Sequence, residues 1–193
     1  MAHYFIEDPN LPDDFRSFHY YYRSLPFMFT SNSGVFSPGH VDPETDLLLQ
    51  TVPALSGSLL DLACGYGPIG VVLGKVYALS VTMADVNPRA LQCAKINCEA
   101  NDVKANILSS DCFANIPDKF DTVTLNPPIH AGKAVVYRMF EGAAEHLTPG
   151  GAFYTVMLEK HGANSARRKL EEVFGACQAL YHKRGEVVFC CRN

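Results

Sequence analysis

From about residue 59 onward, short apolar runs rich in β-branched side chains alternate with longer stretches whose apolar residues recur at helical spacing. The runs at 59–63 (LLDLA), 79–84 (LSVTMA), 105–108 (ANIL), 120–125 (FDTVTL) and 151–157 (GAFYTVM) predict strands. The stretches 68–77, 88–101, 132–147 and 163–174 between them predict helices. Such alternation predicts an α/β sandwich around a mostly parallel sheet, with helices on both faces. The ending breaks the rhythm. Strands at 177–182 and 185–191 leave no room for a helix between them, so they predict an antiparallel hairpin at the end of the sheet. Ahead of the core, 18–36 (FHYYYRSLPFMFTSNSGVF) reads as two short strands, and a helix starts near Pro43 in DPETDLLLQTV. The expected organisation is one domain over 1–193: an extension over 1–42 and a core over 43–193.

The punctuation agrees with these elements. Pro68 and Pro88 fall at first helical positions, where a missing N–H costs nothing, and Asn87 is an N-cap before Pro88. The stretch LTPGG (147–151) predicts the end of a helix and a turn into the next strand.

Composition narrows the class. With 48% apolar and 19% charged side chains over 193 residues, the chain can bury a sizeable core. No run reaches the roughly 18 uncharged apolar residues of a membrane span, and the start, MAHYFIEDPNLPDDF, is too acidic for a signal peptide. A soluble cytoplasmic protein with no membrane partner is expected. The seven cysteines, Cys64, Cys93, Cys98, Cys112, Cys177, Cys190 and Cys191, contain no C-x-x-C pair and mostly sit in apolar runs. They read as reduced, buried thiols. His130, His146, His161 and His182 lack ligand spacing, so no metal is expected.

Charge is unevenly divided. Residues 1–130 carry 7 basic against 14 acidic side chains, and 131–193 carry 9 against 6. The clusters Arg167, Arg168, Lys169 and His182, Lys183, Arg184 could meet a phosphate backbone or serve as a solvated helix face and a turn.

Candidate chemistry begins in DLACGYGPIG (61–70), between a strand and its helix. Gly65, Gly67 and Gly70 fit G-x-G-x-x-G, whose glycines bring backbone N–H groups close to an anion at a helix N-terminus. A dinucleotide would place pyrophosphate there, but Asp61 inside the strand would repel it and suits a ligand with an ammonium group. S-adenosylmethionine has an ammonium, a sulfonium and a carboxylate. Asp85, ending the next strand, is placed to accept both ribose hydroxyls, and Asp111, after the third, to accept from the adenine amino group.

The chain resembles the class I S-adenosylmethionine-dependent methyltransferases, and within them the methyltransferase small domain of the RsmC-like 16S ribosomal RNA guanine-N2 methyltransferases. The resemblance runs from about Phe27 onward, through SNSGVFSPGHVDPETDLLL (31–49), LLDLACGYGPIG (59–70), ADVNPRALQCAKIN (84–97), NPPIHAGK (126–133) and HLTPGG (146–151). It implies a Rossmann-like, seven-stranded sheet ending in an antiparallel hairpin. It also implies cofactor contacts from Asp61, Ala63, Cys64, Gly65, Tyr66 and Gly67 at the methionine end, Asp85 and Val86 at the ribose, and Asp111 with Cys112 at the adenine, with Asn126 a further cofactor contact. The segment around Phe36 and Thr45 resembles the stretch flanking the cofactor's methionine. The implied partner is RNA, ribosomal RNA or the small ribosomal subunit, with the protein a monomer or a homodimer. Two departures stand out. Family members carry an aromatic residue after N-P-P to stack on the base, where this chain has Ile129, and longer members have a second domain for which this chain has no room.

In that setting Asn126 and Pro127 are the catalytic candidates. The Asn126 Oδ1 and the Pro127 carbonyl would each accept one N–H of an exocyclic amine, making its nitrogen more pyramidal and aiming the lone pair. Pro128 and Pro127 keep the chain extended past the strand and remove two competing N–H donors. No strong general base is needed. Phe36, Pro128, Ile129, His130 and Lys133 complete the substrate-side candidates, His130 as a substrate-edge residue and Lys133 near an RNA phosphate. The residues leave other readings open: N-methylation of a protein glutamine or a small-molecule amine, a non-catalytic cofactor- or RNA-binding module, or a nicotinamide-binding Rossmann protein.

Overall fold

The computed structural model describes residues 13–192, so the first twelve residues of the acidic start lie outside the described residues. In chain order the elements are β1 (Phe15–Tyr22), β2 (Leu25–Asn32), α1 (Pro43–Thr51), β3 (Ser58–Leu62), α2 (Pro68–Tyr77), β4 (Ser80–Asp85), α3 (Pro88–Ala100) and β5 (Ala105–Ser109). They continue with β6 (Phe120–Leu125), α4 (Lys133–Glu145), β7 (Leu147–Leu158), α5 (Ala163–Phe174), β8 (Ala176–Lys183) and β9 (Glu186–Arg192). The main sheet has seven strands in the order β5-β4-β3-β6-β7-β9-β8. The first five run parallel, and β9 pairs antiparallel with both β7 and β8.

This strand order places the ligand edge. The chain steps outward from β3 to β4 and β5, then returns to lay β6 on the other side of β3. At that reversal the connections leave in opposite directions, and a crevice opens at the carboxyl ends of β3, β4 and β6.

Each sheet face has its own core. On one face Leu59, Val81, Met83 and Tyr154 pack with Leu48 and Leu49 of α1, Val71 to Leu73 of α2, and Phe27 and Phe29 of the hairpin. On the other, Leu60, Leu62, Val123, Leu125 and Phe153 pack with Val136 and Phe140 of α4 and Leu170 and Phe174 of α5. The apolar run of β3 follows from burial on both sides, and β6, buried likewise past Asp121, alternates apolar residues with two buried threonines. Asp61 is the exception within β3.

The hairpin β1–β2 forms its own two-stranded sheet and is fastened by α3. Asn97 and Asn101, one turn apart, face alternate residues of β2 and act as a substitute strand. Asn97 accepts from the Thr30 N–H at 2.6 Å and donates to the Thr30 carbonyl at 2.9 Å, and Asn101 does the same for Met28 at 3.1 and 2.7 Å. The outer edge of β2 thus has its backbone groups satisfied without another strand.

Two expectations shift in detail. The helix over 132–147 is preceded by one turn of 3-10 helix at Ile129–Ala131, and α4 proper ends at Glu145. Strand β7 starts at Leu147, not 151, because Leu147 pairs with Phe120 and the residues after it bulge before pairing resumes at Thr122 and Ala152. Gly151 permits this: a Cβ there would stand 3.0–3.1 Å from the carbonyl oxygens of Thr148, Phe120 and Asp121. The expected turn is therefore absorbed into the strand.

Candidate active site

The loop between β3 and α2 is held from behind. Asp61 points to the α2 side of the sheet, is 1% exposed, and its Oδ2 accepts the Gly70 N–H at 2.9 Å. Burial raises its pKa to about 8. Strand alternation turns it under the first turn of α2, and it anchors the loop instead of lining the cleft. Gly67 is likewise structural: it caps α2 with φ 85°, and a Cβ there would lie 3.0 Å from the Met83 sulfur.

In front of the loop lies an open cleft of about 880 Å³, counted to its solvent mouth. Of the expected cofactor residues, Ala63, Cys64, Gly65, Tyr66, Asp85, Val86, Cys112 and Asn126 line it. Ala63 and Cys112 hold left-handed φ values of 54° and 50°, unusual for residues with a Cβ. Asp85 ends β4 with both carboxylate oxygens engaged, Oδ2 by the Gly65 N–H at 2.8 Å and Oδ1 by the Asn87 N–H at 2.9 Å. The Val86 N–H bonds this carboxylate as well, and its remaining acceptor capacity is what a diol would meet. Burial raises the Asp85 pKa.

Asp111 is not in the cleft. Its exposed carboxylate pairs with Arg138 at 2.8 Å, because the left-handed turn at Cys112 presents Ser110 and Cys112 to the cleft and leaves Asp111 outside. Apolar walls that sequence reasoning missed come from Leu62, Ile69, Ala90 and Met139. Their only signal was membership of apolar runs.

A second hollow of about 580 Å³ adjoins the first and shares Phe36, Asp42, Asn126 and Pro127 with it. Its other walls include Glu44, Ile129, His130, Leu158 and His161. Asn126 therefore stands where the two hollows meet, directly past β6. Its Nδ2 donates to Asp42 Oδ2 at 3.0 Å and to Thr45 Oγ1 at 2.9 Å. Asp42 is also the N-cap of α1, accepting the Thr45 N–H at 3.0 Å on that same oxygen. Burial and its hydrogen-bonded neighbour Glu44 push the Asp42 pKa to about 6. Asp42 was legible only as a residue before a helix-starting proline.

Among the substrate-side candidates, Phe36 belongs to both hollows, Pro128 to the first, and Ile129 and His130 to the second. Lys133 lines neither; its ammonium lies 5.1 Å from the Tyr137 ring centroid. The basic cluster on α5 is largely paired within the chain, Arg167 with Glu171 and Lys169 with Glu141 and Glu172. That favours the solvated helix face for Arg167, whereas Lys169, its side chain 14% exposed, ties α5 to Glu141 of α4. No group of three or more His, Cys, Asp or Glu among the described residues could hold a metal ion, and no helix among them is long and apolar enough to cross a membrane.

Comparison with known proteins points one way. The methyltransferase small domain model matches residues 26–189. A Bacillus subtilis (strain 168) protein named uncharacterized protein YbxB is 39% identical over 189 residues, covering 95% of this chain and 94% of that one. Ribosomal RNA small subunit methyltransferase C of Pseudoalteromonas atlantica is 35% identical over 178 residues, covering 88% of this chain and 50% of that protein. The chain spans about half the length, or less, of the curated relatives of that name. In structure it superposes on the T. Thermophilus 16S rRNA N2 methyltransferase (RsmC), solved in complex with AdoMet and guanosine, with a TM-score of 0.83. The two are 30% identical, and the match covers 97% of this chain and 53% of the other.

Proposed function

Because the chain belongs to the methyltransferase small domain family, we propose that it transfers a methyl group from S-adenosylmethionine to an exocyclic amine, with guanine N2 in ribosomal RNA as the acceptor. The observation that carries this reading is Asn126 at the junction of two hollows, one fit for the cofactor and one for a planar acceptor.

The cofactor is S-adenosylmethionine, and the residues of the first cleft fit it. Asp85 offers its carboxylate to a ribose diol, the backbone of residues 63–65 lies at the N-terminal end of α2, and Leu62, Ile69, Ala90 and Met139 give apolar walls to an adenine. Bound there, the cofactor supplies an electrophilic sulfonium methyl. The chain's own residues do the rest by position. Asn126 has both amide hydrogens committed to Asp42 and Thr45, so Oδ1 is the polar atom it offers a substrate. An N–H donor fits that atom, and the Pro127 carbonyl accepts the second hydrogen of the same amine. With both N–H groups drawn off-plane the lone pair is freed for attack, and one of the two amine hydrogens is then lost to solvent as a proton, with no strong base required. Phe36 lines both hollows and stands in for the stacking ring that Ile129 does not provide.

Guanine N2 in ribosomal RNA is supported by the curated relatives named ribosomal RNA small subunit methyltransferase C and by the guanosine in the RsmC complex. To test it, the protein is incubated with tritiated cofactor and, separately, small subunits, large subunits, free ribosomal RNA, transfer RNA and total protein, and the labelled nucleotide is mapped. Label in guanine N2 of ribosomal RNA is expected, and Asn126→Ala should abolish it while still binding S-adenosylhomocysteine. Label in protein alone would replace this reading with glutamine methylation, and full activity of Asn126→Ala would defeat the mechanism.

A further inference from the structure

We infer that the N-cap of α1 sets the polarity of the catalytic amide: Asp42, with Thr45, is a positioning residue that turns the Asn126 Oδ1 toward the acceptor and its NH2 away.

The argument starts from a backbone donor. The Thr45 N–H points at Asp42 Oδ2, which makes that oxygen an acceptor in any state of the site. The same oxygen meets the Asn126 amide at 3.0 Å. An acceptor there tolerates only the NH2 end of the amide, because the flipped rotamer would set two oxygens against each other. Thr45 Oγ1 receives the second amide hydrogen at 2.9 Å. Two hydrogens meet two acceptors, and the side chain has no donor left to offer the hollows.

The consequence is a selection rule for the acceptor. An Asn amide that rotates freely presents either a donor or an acceptor to the substrate, and only the second binds an amine hydrogen productively. A short loop tied to a helix cap removes that choice. It also gives a role to the buried carboxylate at the start of α1, Asp42 being 8% exposed.

The kinetic arm of the test rests on the function proposed above, and a spectroscopic arm does not. In nitrogen-15 labelled protein the Asn126 side-chain NH2, assigned by its loss in Asn126→Ala, should exchange with solvent more slowly than exposed Asn amides. In Asp42→Ser/Thr45→Val that protection should vanish. Serine retains an N-cap and valine retains the shape of threonine, so the fold survives. Methyl transfer by the double variant should fall on the order of 10-fold or more in kcat, as for loss of one transition-state hydrogen bond. Because Asp42 and Thr45 also line the cofactor cleft, kcat is read at saturating cofactor, which separates this loss from weaker cofactor binding. Asp42→Asn and Thr45→Ser keep an acceptor at each position and should restore both protection and kcat. An unprotected Asn126 amide in the wild-type protein, or wild-type kcat in the double variant, would overturn the inference. A protected amide in a protein that methylates none of the offered acceptors would sustain it and sink the proposed function instead.

Discussion

Replacing Asn97 by alanine tests whether the hairpin is held by the side chains of α3 or merely rests on them. The wild-type amide is fully buried and makes three hydrogen bonds to backbone: from the Thr30 N–H at 2.6 Å, to the Thr30 carbonyl at 2.9 Å and to the Tyr66 carbonyl at 2.8 Å. Each backbone group left unpaired costs about 1 kcal/mol net, and up to about 2 where water cannot reach it. Three such groups give about 3 kcal/mol, with the Tyr66 carbonyl, deepest of the three, at the high end. For a domain whose total stability is of order 10 kcal/mol this is a large fraction. Urea unfolding should show a midpoint lower by about 1 M with unchanged m, taking m at about 3 kcal/mol/M for a chain of this size. Hydrogen exchange should show Thr30 losing protection. Because Asn97 also ties β2 to the loop carrying Tyr66, affinity for S-adenosylhomocysteine should fall in the same variant. Asn101→Ala should cost less: its two bonds to Met28 are only partly buried, and the Asn97 carbonyl that accepts its third still accepts the Asn101 N–H. A loss below about 1 kcal/mol for Asn97→Ala would refute the reasoning and leave hydrophobic packing of Phe27 and Phe29 as the fastening.

Three further outcomes follow from the site. S-adenosylhomocysteine should raise the melting temperature by mass action while NAD should not, and stabilisation by NAD alone would overturn the cofactor assignment. Asp85→Ala should weaken S-adenosylhomocysteine binding on the order of 10-fold or more by calorimetry, since it removes the diol acceptor and frees the Gly65 N–H; unchanged affinity would place the ribose elsewhere. Asp61 should make stability fall as pH rises. Its folded pKa of about 8 lies above its unfolded value, so the folded state binds more protons in between, and each unit of pH removes about 1.4 kcal/mol per proton. Asp61→Asn should flatten the stability profile across that window by one proton, and identical slopes in the two proteins would show that Asp61 is ionised throughout.

The alternation of apolar runs with helical stretches was enough to specify the layers, and every strand of the main sheet was visible as a short apolar segment. Capping chemistry placed the starts of α2 and α3 at Pro68 and Pro88 because these signals act within a few residues. The start of β7 was not visible. It depends on Leu147 pairing with Phe120, 27 residues away in sequence, and local turn residues pointed to a loop. The same limit explains the aspartates. Their positions at strand ends were legible, and Asp85 does line the cleft, whereas Asp61 and Asp111 do not.

What the sequence alone determined was composition, element type and the chemistry on offer: an acid within, at the end of, or just after each of three successive strands, glycines between strand and helix, and Asn-Pro-Pro past a fourth. Those are properties of local spacing, and local spacing is what a chain carries by itself. Only the tertiary structure decided where each group faces. It turned Asp61 under α2, sent Asp111 to Arg138, lent two asparagines of α3 to the edge of β2, and brought Asp42 across 84 residues of sequence to the Asn126 amide. Side-chain direction depends on which neighbour occupies the other side of a strand or loop, and that neighbour comes from a distant part of the chain.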